Sequence, residues 1–178
     1  IGVVIKDIEN PFFARLTKQI EWTLRNRDYT MVLLQSNSDQ SQELFLSELL
    51  ITIGVGGMLI TAVSSRSPVF TELKSAGVPF MALDCRPQLD DVDWISSDNY
   101  RGAYMATSHL VGLGHRRVMY IRGENAQPGL ERYEGYRQAL ADHGIDVDNH
   151  LVVGFEGSEA GGAEAISRYV SRYGRDSL

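Results

Sequence analysis

The feature that most constrains this chain is an alternation of two hydrophobic periods. Short β-branched runs, Ile1–Ile5, Thr30–Gln35, Met58–Thr61, Val78–Leu83, Trp94–Ser96, Arg117–Ile121 and Leu151–Gly154, read as strands. The longer segments between them carry apolar residues at helical spacing in most cases. Strands separated by helices cannot close as hairpins. They pair in parallel through crossover helices, so the pattern predicts an α/β fold built on doubly wound parallel sheets.

Local punctuation supports the register. Asn10-Pro11 is an N-cap followed by a proline at the first helical position, where its missing N–H costs nothing. Phe13, Leu16, Ile20 and Leu24 then form one stripe, with Arg15, Lys18, Glu21 and Arg25 opposite. Asp39 with Gln42 has capping-box spacing and opens a helix through Leu44, Leu49 and Leu50. Further helices are expected at Ser67–Ala76, Arg101–Leu113, Leu130–Asp142 and Glu159–Tyr173, with Gly54, Gly77, Gly114 and Gly144 as stops. The strand at Arg117–Ile121 enters a loop and a helix just as Ile1–Ile5 does, which suggests two similar lobes.

Composition excludes several classes. The 178 residues are 43% hydrophobic and 22% charged, with one cysteine, an ordinary globular balance that rules out a disulfide scaffold or low-complexity disorder. No apolar run approaches the roughly 20 residues that span a bilayer. A net charge of −6 speaks against this stretch gripping a phosphate backbone by itself. The chain opens in a strand without an initiator methionine, so it reads as a piece of something longer.

Catalytic signatures are missing. There is no phosphate loop and no G-x-S-x-G elbow. Gly54-Val55-Gly56-Gly57 precedes a strand instead of opening a helix, which fits a helix stop better than a dinucleotide site. His109, His115, His143 and His150 lack metal-ligand spacing, and Cys85 reads as a buried thiol at a strand end. No enzyme activity, metal or cofactor is expected.

Ligands of open α/β sheets bind beyond the carboxyl ends of the strands. Asp7, Asn10, Phe12 and Phe13 follow the first strand, and Asp84, Cys85 and Arg86 follow the fourth. Asp98, Asn99 and Arg101 come after the short extended piece, Asn125, Gln127 and Arg132 after Arg117–Ile121, and Phe155 after Leu151–Gly154. Amides, carboxylates, arginines and aromatics are the groups that hold a polyhydroxylated or heteroaromatic small molecule. Each has a structural reading too: Asn10 and Asp98 are good helix caps, and Phe13 belongs to the apolar stripe, whereas Phe12 falls off it. Arg132, early on a helix, sits at the unfavourable end of the macrodipole; a partner anion or a ligand explains that placement, and a solvated surface arginine is the simpler alternative.

These residues, taken together, resemble the sensor domains of the lactose-repressor (LacI/GalR) family of transcription regulators. The resemblance is carried by Asp7 with Asn10-Pro11-Phe12-Phe13, by Gly77-Val78-Pro79 leading to Asp84, and by Ser97-Asp98-Asn99 with Gly102 and His109-Leu110. Leu113-Gly114-His115-Arg116-Arg117, Arg132-Tyr133-Glu134-Gly135-Tyr136 and Gly161-Gly162 complete it. It implies a fold like that of type I periplasmic binding proteins, residues 1–114 forming an N-terminal lobe and 115–178 part of a second, with an effector clamped between lobes. The implied ligand contacts are Asp7, Asn10, Phe12, Phe13, Asp84, Asp98, Arg101, Arg132 and Phe155, with Arg132 binding hydroxyls or a carboxylate and Phe155 stacking on a ring. It also implies a helix-turn-helix head before Ile1, more of the second lobe after Leu178, operator DNA as partner, a homodimer and a cytoplasmic location. The expected function is effector sensing in a bacterial repressor; the alternative is a periplasmic sugar-binding protein of a transport system.

Overall fold

A computed structural model describes residues 1–123, 127–154 and 159–174. It divides into two compact units, 1–97 and 98–178.

In the first unit, β1 (Gly2–Ile5), α1 (Pro11–Arg25), β2 (Val32–Gln35), α2 (Gln40–Ile53), β3 (Met58–Ile60), α3 (Val69–Ser75), β4 (Phe80–Leu83) and β5 (Asp93–Ile95) alternate as expected. The five strands form one parallel sheet in the order β2-β1-β3-β4-β5. Order reverses between β1 and β3, because one crossover runs left from β1 and the next returns past it. The side chains of β1 alternate between two cores, as parallel strands covered on both faces require. Val4 joins Met58, Ile60 and Ala82 against Leu50 of α2 and Val69, Phe70 and Leu73 of α3. Val3 and Ile5 pack with Phe13 of α1, flanked by Ile20, Leu33 and Leu59.

The caps fall where the sequence puts them. Asn10 accepts the Phe12 N–H at 2.9 Å, and Asp39 accepts the Ser41 and Gln42 N–H groups at 2.7 and 2.9 Å. Gly54 ends α2 at φ +80°, a left-handed conformation that a side chain would disfavour. The face of α2 departs from its leucine pattern. Glu43, Ser47 and Leu50 are the buried residues, whereas Phe45 is 58% exposed and Leu49 is also exposed. Tertiary contact with the β3–α3 loop outweighs side-chain polarity here.

The second unit holds α4 (Asn99–Gly112), β6 (Tyr120–Arg122), α5 (Gln127–Asp142), a short 3-10 turn (Asn149–Leu151), β7 (Val152–Gly154) and α6 (Glu159–Tyr173). β6 and β7 pair in parallel, and Val111 of α4 shares a core with Val118, Tyr136 and Leu140. The two compact units meet at Ser97/Asp98, whereas the sequence suggested lobes meeting at Gly114/His115; α4 packs against α5 and so falls in the second unit. Gly135 permits that approach. A Cβ there would lie 2.2 Å from the Tyr100 carbonyl oxygen, a contact no side chain tolerates. Tyr104 adds a clamp, its hydroxyl donating to Asp142 at 2.9 Å. α5 also starts at Gln127, earlier than the expected Leu130, because Pro128 fits a first turn whose N–H groups have no intrahelical acceptor.

Candidate functional site: the rims at the strand ends

The switch point between β1 and β3 locates the rim of the first unit. After β1, Asp7 accepts the Glu9 N–H at 2.8 Å, an Asx turn that fixes the loop leading into the Asn10 cap. Gln35, at the end of β2, accepts the Ile8 N–H at 3.1 Å. Phe12 is 47% exposed and Phe13 only 7%, and their rings meet edge to face at 5.1 Å. Phe13 is therefore a core residue that supports Phe12, as the stripe pattern distinguished them.

Asp84 follows β4 at φ +53°, in the left-handed region that Asp tolerates better than most residues, and its N–H bonds Ile95 O at 2.8 Å. Cys85 is buried in the α2–α3 core, and Arg86 turns out over the Trp94 ring at 5.3 Å.

The rim of the second unit is built differently. Asp98 caps α4 by accepting the Arg101 N–H at 2.9 Å, with the Arg101 side chain exposed. Next to it, Asn99 is 6% exposed and acts as a relay. Its Oδ1 accepts Arg132 Nε at 2.8 Å, and its Nδ2 donates to Glu131 Oε2 at 3.4 Å. Glu131 Oε1 in turn accepts Gln127 Nε2 at 2.9 Å. Guanidinium only donates and carboxylate only accepts, so the amide can face only one way. One edge of the Arg132 guanidinium is thereby fixed, and its terminal nitrogens suit a pair of ligand oxygens.

Arg132 lies in the second turn of α5, since the helix begins at Gln127. The macrodipole fades within the first turn. Its placement is thus explained by the Asn99 bond and not by dipole strain, which corrects the expectation. Phe155 and Asn125 lie outside the described residues.

Behind this rim, Tyr120, Tyr133 and Tyr136 stack with centroids 5.0–6.2 Å apart. Tyr136 donates to Val118 O at 2.9 Å, and burial pushes its phenol up to about 12. A groove of about 340 Å³ between Glu134, Arg137, Ile145 and Val147 lies on the other side of α5. Glu134 is about 200° around the helix from Arg132, at 100° per residue. The Glu134–Arg137 ion pair lies along its lining, and the groove has no part in the rim. Among the described residues, no three His, Cys, Asp or Glu side chains assemble a metal cage, and no helix is long and apolar enough to cross a membrane.

Sequence reasoning singled out the rim loops except those after β2 and β3. It left Glu43 and the 61–67 loop aside, and it named Asn99 without a role. Both are polar residues on buried helix faces, and a polar residue on a helix reads as solvated unless its neighbours are known.

Each unit is an open parallel α/β arrangement whose strand ends carry amides and carboxylates, and the second also carries an oriented arginine. The family model of periplasmic binding proteins and the sugar-binding domain of the LacI family matches residues 1–173, and the chain belongs to that family. It is 28% identical over 169 residues to the maltose regulon regulatory protein MalI of Escherichia coli, covering 94% of this chain and 49% of MalI. It is 31% identical over 157 residues to the ribose operon repressor of Halalkalibacterium halodurans, covering 85% and 46%. A LacI-family transcriptional regulator from Enterococcus faecium, solved with bound ribose, superimposes with a TM-score of 0.83 at 29% identity, covering 97% and 63%. The chain thus spans about half the length of the relatives it matches.

Proposed function

We propose that this chain is the effector-sensing part of a bacterial LacI-type transcription repressor. The observation that carries the reading is the family match, whose relatives cited above are transcription regulators. The oriented Arg132 supplies the chemistry. On this reading a sugar, sugar acid or nucleobase donates hydrogen bonds to Asp7 and Asp84 and meets the Asn10 amide on the first rim. Phe12 supplies an apolar wall, with Phe13 behind it. Asp98, Arg101 and Arg132 bind from the second rim, and Phe155 stacks on a ring. The effector binds two conformations of the sensor unequally, and that difference shifts how well the whole protein holds operator DNA. No chemistry on the effector is part of this role.

The protein works in the cytoplasm, as a homodimer matched to a palindromic operator. The exposed row Phe45, Leu49 and Ile53 on α2 is suited to the dimer contact.

Calorimetry on the full-length protein with ribose, cellobiose, fructose 1-phosphate and free nucleobases tests the reading. One binder is expected, and Arg132→Ala weakens it tenfold or more, since a hydrogen bond to a charged group contributes about 1.5–3 kcal/mol. Unchanged affinity in the variant contradicts the assignment. Gene sequence ahead of Ile1 is a second check: a helix-turn-helix supports the repressor, and a secretion signal supports the transport component instead.

A further inference from the structure

Beneath the loop after β3 lies a carboxylate that the site described so far does not use. Glu43, on α2, is wholly shielded from solvent. Its Oε2 accepts the Val63 N–H at 2.5 Å, and its other oxygen accepts the Ser67 hydroxyl. These donors stand near the two ends of the 61–67 loop. Ser67 also receives the Val69 N–H at 3.3 Å, where α3 begins.

The same loop meets its neighbours on the rim. Thr61 Oγ1 accepts the Lys6 N–H at 2.9 Å, tying it to the loop after β1. Ser65 O accepts the Gln88 N–H at 2.7 Å, and Arg66 Nε donates to Gln88 Oε1 at 2.7 Å, tying it to the segment after β4. By topology the 61–67 loop flanks the switch point, where ligands of such sheets bind.

Burying a carboxylate on a helix face is costly. Desolvation raises the Glu43 pKa, against the lowering effects of Ser67, Val63 and Lys6. Leucine at this position would serve core packing at less cost. The hydrogen bonds to the loop are what the acid provides and a leucine does not.

We propose that Glu43 is a positioning residue for effector binding: it pins the 61–67 loop near both ends and so fixes where Ser64, Ser65 and Arg66 stand on the rim. The proposal rests on the reading that this rim receives the effector. Glu43 touches no effector itself and acts through the loop. Glutamine can replace it, with Oε1 accepting from Val63 and Nε2 donating to Ser67, whose hydroxyl reverses its role. Alanine leaves both donors without their acceptor.

The test uses the full-length protein and two measurements. Amide exchange over residues 61–67 is expected to rise tenfold or more in Glu43→Ala, about threefold in Ser67→Ala, and to stay within twofold of wild type in Glu43→Gln. Affinity is then measured for whichever of ribose, cellobiose or fructose 1-phosphate saturates the wild type. Glu43→Ala weakens it at least tenfold, and Glu43→Gln leaves it within twofold. Leu50→Ala, on the same buried face, lowers the melting temperature at least as much yet leaves affinity within twofold. Unchanged loop exchange in both Glu43→Ala and Ser67→Ala overturns the proposal, as does an equal affinity loss in Leu50→Ala. Should none of the three sugars bind the wild type, the effector reading fails for them, and loop exchange still decides the role of Glu43. If Glu43→Ala does not fold, Ser67→Ala and Glu43→Gln carry the comparison.

Discussion

The two rims solve the same problem in different ways. In the first unit Asp7, Asn10 and Glu43 each accept from a backbone amide: Asp7 from Glu9, Asn10 from Phe12, and Glu43 from Val63 below. The loops are thereby shaped, and ligand chemistry is left to the second oxygen of Asp7 and the amide nitrogen of Asn10. In the second unit a buried amide is spent on another side chain, Asn99 on Arg132, so that one strong donor is aimed. The first rim shapes surfaces, whereas the second aims a charge. Substitutions should therefore affect stability and affinity differently in the two units.

The largest stability effect is expected at Gly135→Ala. Its Cβ would meet the Tyr100 carbonyl at 2.2 Å, so α4 must move off α5, at a cost of about 3 kcal/mol or more in urea unfolding. A loss below about 1 kcal/mol would show that the helices slide apart freely and that the second unit is not held by this contact.

Next comes a pair of asparagines. Asn10→Ala is expected to cost about 1 kcal/mol of stability through the lost cap. Asn10→Asp keeps the acceptor and the stability but loses the amide donor, so any fall in affinity isolates the ligand role from the cap. Asn99→Ala weakens effector binding about tenfold by freeing Arg132. Were Asn10→Asp to weaken binding as much as Asn99→Ala does, the contrast between the rims would be lost.

Acid titration sharpens the comparison, because one acid in each unit shifts in an opposite direction. Burial raises Glu43 above 4.5, so the native state binds that proton more tightly than the unfolded chain. Its contribution therefore falls as pH climbs from 4.5 through the native pKa, and Glu43→Gln removes that slope. In the second unit, the bond from Tyr104 lowers Asp142 below 3.8. That contribution is fully present above 3.8 and disappears as pH falls through the native pKa; Tyr104→Phe reduces it. Thermal melts from acid to neutral pH read both slopes. The smallest effect belongs to the exposed Glu134–Arg137 pair, where Arg137→Ala changes stability by about 0.5 kcal/mol or less.

Much of the fold was legible because its signals are local. Asn10, Asp39 and Asp98 cap helices through their own next few amides, and Gly54, Gly77, Gly114 and Gly144 all take positive φ at helix ends. Such chemistry is complete within a few residues of chain. The unit boundary was not legible, because α4 shows its allegiance only in contacts with Tyr136 and Gly135, over twenty residues downstream. α2 was only partly legible for a related reason: of its leucines Leu50 is buried and Leu49 exposed, and the buried place of Glu43 depends on the distant β3–α3 loop. On the rims, residue type and helical position marked Arg132, Phe12 and Phe13, but Asn99, which positions Arg132, needed coordinates to acquire its role.

The most direct test of the account is a double-mutant cycle on effector affinity in the full-length protein, combining Asn99→Ala with Arg132→Ala. If Asn99 acts by aiming Arg132, each single variant loses about tenfold and the double loses little more than Arg132→Ala alone. Losses that multiply, or an effector that binds equally well to all four proteins, would contradict it.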